Sequence, residues 1–287
     1  MRMFFYSAGG IMNIDLKTGG IYAFISSDET SSIVLKKMYN GDNSKNFNIT
    51  CLNGKENVKY EQKSRQFVPD DIVCYSEMTV CQFIVGGLYC EKKQNRTNMC
   101  CLAESYLEIF NISKDTNLLE LTFEQGHLLA MITSLMREPE ILLLEKPYDM
   151  LDLSAYDTVS DIFKKYAEKG NIVIASFDKF ENVGFECDEY IFMEDGEIKF
   201  IFDKENIPGK KKLVILKNSG VYEFLNCVDG KYRIDKTESG YELLFDVSDI
   251  KYLREVISKV DYDDISIKDL SMNEFIFNYY DAEVESR

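Results

Sequence analysis

The chain has 287 residues, 45% of them hydrophobic and 29% charged, which is enough apolar material for a sizeable core in one or two domains. Its net charge of −16 excludes nucleic-acid binding through the surface at large, which needs Lys and Arg against phosphate, and it disfavours adhesion to anionic lipid. No run of about 18 apolar residues is present to span a membrane, and the opening MRMFFYSAGG lacks the apolar core of an export signal, so a cytoplasmic location is expected. The eight cysteines contain no Cys-x-x-Cys pair and the one histidine is His127, which leaves little for a zinc site; the cysteines are expected to be reduced and to pack as small apolar residues.

In chain order, IYAFI (21–25) follows Gly19-Gly20 as a short apolar strand. ILLL (141–144) and IVIA (172–175) are continuous apolar runs bounded by polar residues, the pattern of strands buried on both faces of a parallel sheet. Between them Ala155, Tyr156, Val159, Ile162, Phe163 and Tyr166 recur at helical spacing, and Gly170 stands where a helix would be capped. This is a strand-helix-strand crossover. Residues 190–202 predict a hairpin around Asp195-Gly196. IPGKKK (207–212) is the best linker candidate; beyond it come strand-like LVIL, YRI and YELLF, a helix over 250–260, a short strand around Ile265 and an aromatic final helix, MNEFIFNYY. The acidic run 261–264 lacks the Gly and terminal Glu of a calcium loop and is expected to be a solvated turn.

Four segments, in order, resemble the motifs of ATP-binding-cassette (ABC) ATPases, with no gap over 24–41 and over 121–147 and a weaker likeness over 43–66 and 200–260. That family's first strand leads into a phosphate loop, G-x-x-G-x-G-K-[ST], whose glycines let backbone N–H groups wrap phosphate while the Lys neutralises it. The matching stretch here is Ser26, Ser27, Asp28, Glu29, Thr30, Ser31, Ser32 and Ile33: Ser26, Glu29 and Ser31 replace the glycines, Ser32 the Lys, and Ile33 the Mg²⁺-binding hydroxyl. FVPDDIVCYSEMTV (67–80) is similar to the segment carrying the family's metal-sensing Gln, with Asp70 in its place. Leu121, Thr122, Phe123, Glu124 and Gln125 resemble the signature L-S-G-G-Q. REPEILLLEKPYDMLD is similar to D-P-x-x-L-I-L-D-E-P-x-x-G-L-D: Glu145 falls at the Mg²⁺-supporting Asp, Lys146 at the catalytic Glu, and Asp149 and Asp152 in a dimer-contact loop. Phe177 falls at the switch His that ends the next strand. Tyr6 is a candidate for stacking adenine, with Phe4 and Phe5 competing and a core role open to all of them. The ending ISIKDLSMNEFIFNYYD is similar to that of drug- and bacteriocin-exporter ATPases, which pair with separate membrane subunits.

The resemblance implies an α/β P-loop NTPase (ABC ATPase-like) sheet over residues 1–205 with a helical subdomain at about 77–120, and a C-terminal α+β accessory domain over 206–287. It also implies an ATP-binding-type subunit on the inner face of the cell membrane. Its partners would be an integral-membrane permease and a second ATPase-type chain, as a homodimer or heterodimer, and no nucleic acid. ATP and Mg²⁺ would be its cofactors if the family activity persisted. The replacements at Ser32, Ile33, Glu145, Lys146 and Phe177 run against the chemistry together, so no intact catalytic residue, no metal and no cofactor are expected, and the leading reading is a non-hydrolysing partner subunit. An ATPase with unusual residues and a soluble regulatory scaffold are the alternatives. Lys146 could bind a phosphate or neutralise neighbouring acids; the acids outnumber it, so an ion pair within about 4 Å of Asp28, Glu29, Asp70, Glu145 or Asp149 is expected. The side chains of Ser31 and Ser32 are expected to satisfy the loop's backbone, and His127 to be a surface or satisfied histidine.

Overall fold

The computed structural model describes residues 2–7, 10–41, 47–50, 65–70, 77–89, 96–149, 151–209, 211–217, 234–237, 240–246, 250–258 and 264–285. The chain divides into two compact units, Met1–Glu205 and Asn206–Arg287.

In the first unit, β1 (Arg2–Ser7), β2 (Gly10–Asp15) and β4 (Phe47–Thr50) form an antiparallel sheet in the order β2-β1-β4. The main sheet contains β3 (Ile21–Ile25), β5 (Arg65–Val68), β6 (Ile141–Glu145), β7 (Ile172–Phe177), β8 (Glu189–Glu194) and β9 (Glu197–Asp203). Its order is β5-β6-β7-β3-β8-β9. All neighbours are parallel except β8 and β9, the hairpin expected at Asp195-Gly196. Asp195 (φ 53°) and Gly196 (φ 80°) both have positive φ, as a tight two-residue hairpin turn requires.

Every residue of β3, β6 and β7 is buried, which is why these strands read as unbroken apolar runs. The period of two still sorts their side chains between the two faces. Tyr22, Phe24, Ile141, Leu143, Ile172 and Ile174 share one face, packed with Val34, Leu35 and Met38 of α1 (Thr30–Asn40). The alternate positions Val173, Ala175 and Phe177 therefore face the other way, where α5 (Leu153–Glu168) packs on β7. Gly170, just beyond α5, is left-handed (φ 94°) and donates its N–H to the Ala167 carbonyl.

Between β5 and β6 lie α2 (Val80–Tyr89), α3 (Arg96–Ile109) and α4 (Phe123–Met136), which pack on one another; α4 also packs on β5. Thr122 caps α4 through a reciprocal capping box with Gln125, worth about 1 kcal/mol. Among the described residues no helix is long and apolar enough to cross a membrane.

In the second unit, β10 (Lys211–Lys217), β11 (Ile234–Thr237), β12 (Gly240–Asp246) and β13 (Asp264–Asp269) form an antiparallel sheet in the order β11-β12-β10-β13. It carries α6 (Ile250–Ile257) and α7 (Met272–Glu285). Ser271 and Glu274 form a reciprocal capping pair at the start of α7, and Lys268 reaches Glu274 at 2.6 Å. Of the acidic run 261–264, residues 261–263 lie outside the described residues, as do 232 and 233 of the YRI segment.

Candidate functional site

The residues singled out in the sequence converge where parallel strands end. Residues 26–29 join β3 to α1, Asp70 follows β5, Glu145 and Lys146 end β6, and Phe177 ends β7. The carboxyl edge of a parallel sheet is where ligands bind in folds of this type.

The loop after β3 is held by its own side chains. Ser26 is fully buried; its Oγ accepts the Ser31 N–H at 2.9 Å and donates to Ser31 Oγ at 2.8 Å. Asp28 accepts from the Thr30 N–H at 3.1 Å, from Thr30 Oγ1 at 2.9 Å and from the Asp195 N–H at 2.7 Å. Burial pushes the Asp28 carboxyl up, but these donors outweigh it and hold the group below the usual carboxylate range. Glu29 sits in the left-handed region at φ 58°, a position that glycine would take without strain. Ser27 and Glu29 are exposed, Thr30, Ser31 and Ser32 are buried, and Ile33 is 47% exposed. The expectation that Ser31 and Ser32 satisfy the loop is corrected: Ser26 and Asp28 do so, while Ser32 Oγ lies 3.5 Å from Ser176 Oγ on β7. Helical geometry points Ser32 at the sheet, not back along the loop.

Glu145 and Lys146 part company. Glu145 lies on the α1 face of β6, opposite Ser176, is only 3% exposed, and pairs with Lys36 of α1 at 2.7 Å. Its Oε2 has no hydrogen-bond partner among the described residues. Lys146 leaves the strand at φ 44°, with its N–H bonded to the Ser176 carbonyl, and this turn carries its ammonium to Asp178 at 2.9 Å. The expected partners Asp28, Glu29, Asp70, Glu145 and Asp149 are thus replaced by Asp178, the residue following β7. Burial lowers the Lys146 pKa, but the hydrogen bond and charge of Asp178, with Asp70 and Asp149 beyond, raise it further, so the net shift is upward. Burial and the charge of Asp178 push the Asp149 carboxyl up.

Phe177 is 1% exposed and points away from the loop, into an aromatic cluster with Tyr148 (6.4 Å between centroids) and Phe185 (6.0 Å). Leu121, Thr122, Phe123, Glu124 and Gln125 start α4. Phe123 is 79% exposed, and Glu124 accepts the Asp152 N–H at 2.9 Å. No hydrogen bond or ion pair among the described residues joins this segment to the loop after β3. Tyr6 lies on β1 opposite Ile11; its side chain, like those of Phe4 and Phe5, lies outside the described residues.

Neither Lys36 nor Asp178 was marked by the motifs. The signal for Lys36 was present in the sequence: it lies four residues after Ser32, on the same helical face. Asp178 gave none beyond its place one residue past the strand.

His127 also departs from expectation. It is 1% exposed, and neither ring nitrogen has a hydrogen-bond partner of ordinary geometry among the described residues. The ring is flanked by the Pro147 backbone and the charge of Asp70; burial lowers its pKa against both. The folded state therefore favours the neutral ring, and stability is full above the unfolded value of about 6.5 and falls as pH drops below it. Denaturant unfolding is expected to lose stability between pH 7 and pH 5.5, and His127→Gln to flatten that slope. An equal slope in both proteins would remove His127 from the account.

The order of parallel strands, the loop-to-helix connection after β3, the first of them in the chain, and the intervening helices define the P-loop NTPase fold in its ABC ATPase form. Solved structures share that fold at low identity. CbiO1 of Clostridium perfringens, part of an ABC transporter complex, matches with a TM-score of 0.56 and 18% identity over 70% of this chain and 88% of that one. The dimeric bacterial ABC transporter cassette MJ0796 matches with a TM-score of 0.58 and 16% identity over 71% and 98%. Among curated proteins, the sulfate/thiosulfate import ATP-binding protein CysA 2 of Shewanella oneidensis is 23% identical over 227 residues, 76% of this chain. That match spans 62% of the relative's length. The linearmycin resistance ATP-binding protein LnrL of Bacillus subtilis is 26% identical over 214 residues, 71% of this chain and 68% of the relative. No family model matches the chain. These homologues and structural neighbours are ATP-binding subunits of ABC transporters, and the chain shares their fold.

Proposed function

We propose that this chain is a non-hydrolysing ABC subunit, a structural or regulatory partner of a membrane permease, of an active ATPase chain, or of both, at the inner face of the membrane. The observation that carries the reading is the loop after β3, whose Thr30 and Ser31 amides are engaged by Asp28 and Ser26. A phosphate cradle needs open N–H groups and a cation. Here the donors are engaged, a carboxylate stands among them, and an exposed Ile33 takes the place of a metal-binding hydroxyl. The nearby cations are engaged as well, Lys36 by Glu145 and Lys146 by Asp178. The residues present do not fit Mg-ATP, and no catalytic step is assigned to them.

A partner role is supported by apolar exposure at the end of the 67–80 segment and on α2 after it, beside which the resemblance implies that a permease helix docks. Met78 is 49% and Phe83 39% exposed. Exposed Phe123, where the resemblance implies contact with a second ATPase chain, adds to it.

Affinity purification of the chain from detergent-solubilised membranes tests the reading. Co-purification of a permease or ATPase chain is expected, with ATP turnover in the complex unchanged by Lys146→Ala or Glu145→Gln. Recovery of the chain alone from the soluble fraction, or turnover abolished by either substitution, would overturn it.

A further inference from the structure

The β8–β9 turn reaches the loop after β3 in a way that neither element requires. In a two-residue hairpin the ladder closes between the flanking residues, here Glu194 and Glu197, and the amides of the two central residues are left over. At an exposed hairpin tip such amides normally face water. Here both are spent on the loop: Asp195 donates to Asp28 Oδ2 at 2.7 Å, and Gly196 donates to Thr30 Oγ1 at 3.1 Å. Thr30 Oγ1 in turn donates to the same Asp28 carboxylate at 2.9 Å, and the Thr30 amide to its other oxygen at 3.1 Å. One carboxylate and one hydroxyl thus tie together segments 166 and 167 residues apart in sequence.

We propose that Asp28 and Thr30 form a strap that holds the loop after β3 shut against the β8–β9 turn, an internal contact that keeps the loop from rearranging around any outside ligand. The carboxylate is the hub, because hydrogen bonds to an ionised acceptor are about twice as strong as neutral ones. Thr30 contributes the second tie, through an oxygen that donates to Asp28 while accepting from Gly196. Buried Ser26, bonded to Ser31, anchors the loop from beneath. The strap lies on the loop that carries the proposed function, and its hydrogen bonds can be read in the nucleotide-free chain, apart from whether nucleotide binds.

Amide hydrogen exchange, read residue by residue in the nucleotide-free full chain, tests it separately from any binding assay. In the wild type the Asp195 and Gly196 amides are expected to be protected despite their exposed position. Asp28→Ala is expected to speed exchange at Asp195 and Thr30 by at least about tenfold, the loss corresponding to one charge-assisted hydrogen bond. Thr30→Val keeps the bulk of the side chain and should release Gly196 while leaving Asp195 protected; it decides the matter if Asp28→Ala does not fold. Exchange of Asp195 and Gly196 at the unprotected rate in the wild type would overturn the strap, as would a Thr30→Val protein in which Gly196 stays protected.

Discussion

Phe177→Ala is expected to destabilise the chain by about 3–5 kcal/mol, the range for emptying a large aromatic side chain from a packed core. The ring is 1% exposed and lies between Tyr148 and Phe185, and Phe163 packs on Phe185 in turn with centroids 6.0 Å apart. Tyr148 is tied to Ser160 of α5 by a 2.7 Å hydrogen bond, so the cluster has little freedom to collapse into a void. Gly184 lies beneath the same tyrosine, where an added Cβ would come within 2.9 Å of the ring. Phe177→His, which installs the residue that the resemblance assigns to this position, is expected to cost about 2–3 kcal/mol, because it buries ring nitrogens among apolar neighbours. It should confer no ATP turnover. Urea unfolding of the three proteins checks this, and a Phe177→His protein as stable as the wild type would show that the position is not committed to the core.

The second large effect is expected at Lys36. Breaking a buried ion pair by removing one partner costs about 3–5 kcal/mol when both groups are buried. Lys36 is 53% exposed and Glu145 3%, so solvent offsets part of that cost, and Lys36→Met is expected to lose about 2 kcal/mol. Glu145, only 3% exposed, would then be left without its cation. The double variant Lys36→Met, Glu145→Leu extends the apolar run of β6 by one residue and is expected to recover most of the loss. A Lys36→Met protein with an unchanged unfolding midpoint would mean that the pair contributes nothing, and that Glu145 is held by something else.

These two sites mark where the sequence was legible and where it was not. The unbroken apolar runs of β6 and β7 could be recognised because strands buried on both faces contain no polar interruption, and the Asp195-Gly196 turn because both positions require positive φ. Motif register located the loop after β3 and the ends of β6 and β7. It did not determine which face each side chain takes. Glu145 and Phe177 lie on opposite faces of the sheet, so residues adjacent in the motif scheme do not meet. Lys146 escapes strand alternation altogether through its left-handed backbone, and this directs it to Asp178. His127 looked innocuous because α4 is buried at residues 126–129 and 131–136, nearly all round, so the helix shows no polar stripe by which to place a histidine outside or inside. The loop's internal hydrogen bonds were legible in kind, from its serines and acids, but the choice of Ser26 and Asp28 over Ser31 and Ser32 depended on where α1 begins.

On the proposed function, the loop after β3, filled by its own side chains, does not receive Mg-ATP. Calorimetric titration of the purified chain with Mg-ATP measures this directly. No saturable heat is expected up to about 1 mM nucleotide, which corresponds to less than about 4 kcal/mol of binding free energy. A dissociation constant at or below about 10 μM, roughly −7 kcal/mol, would contradict the claim.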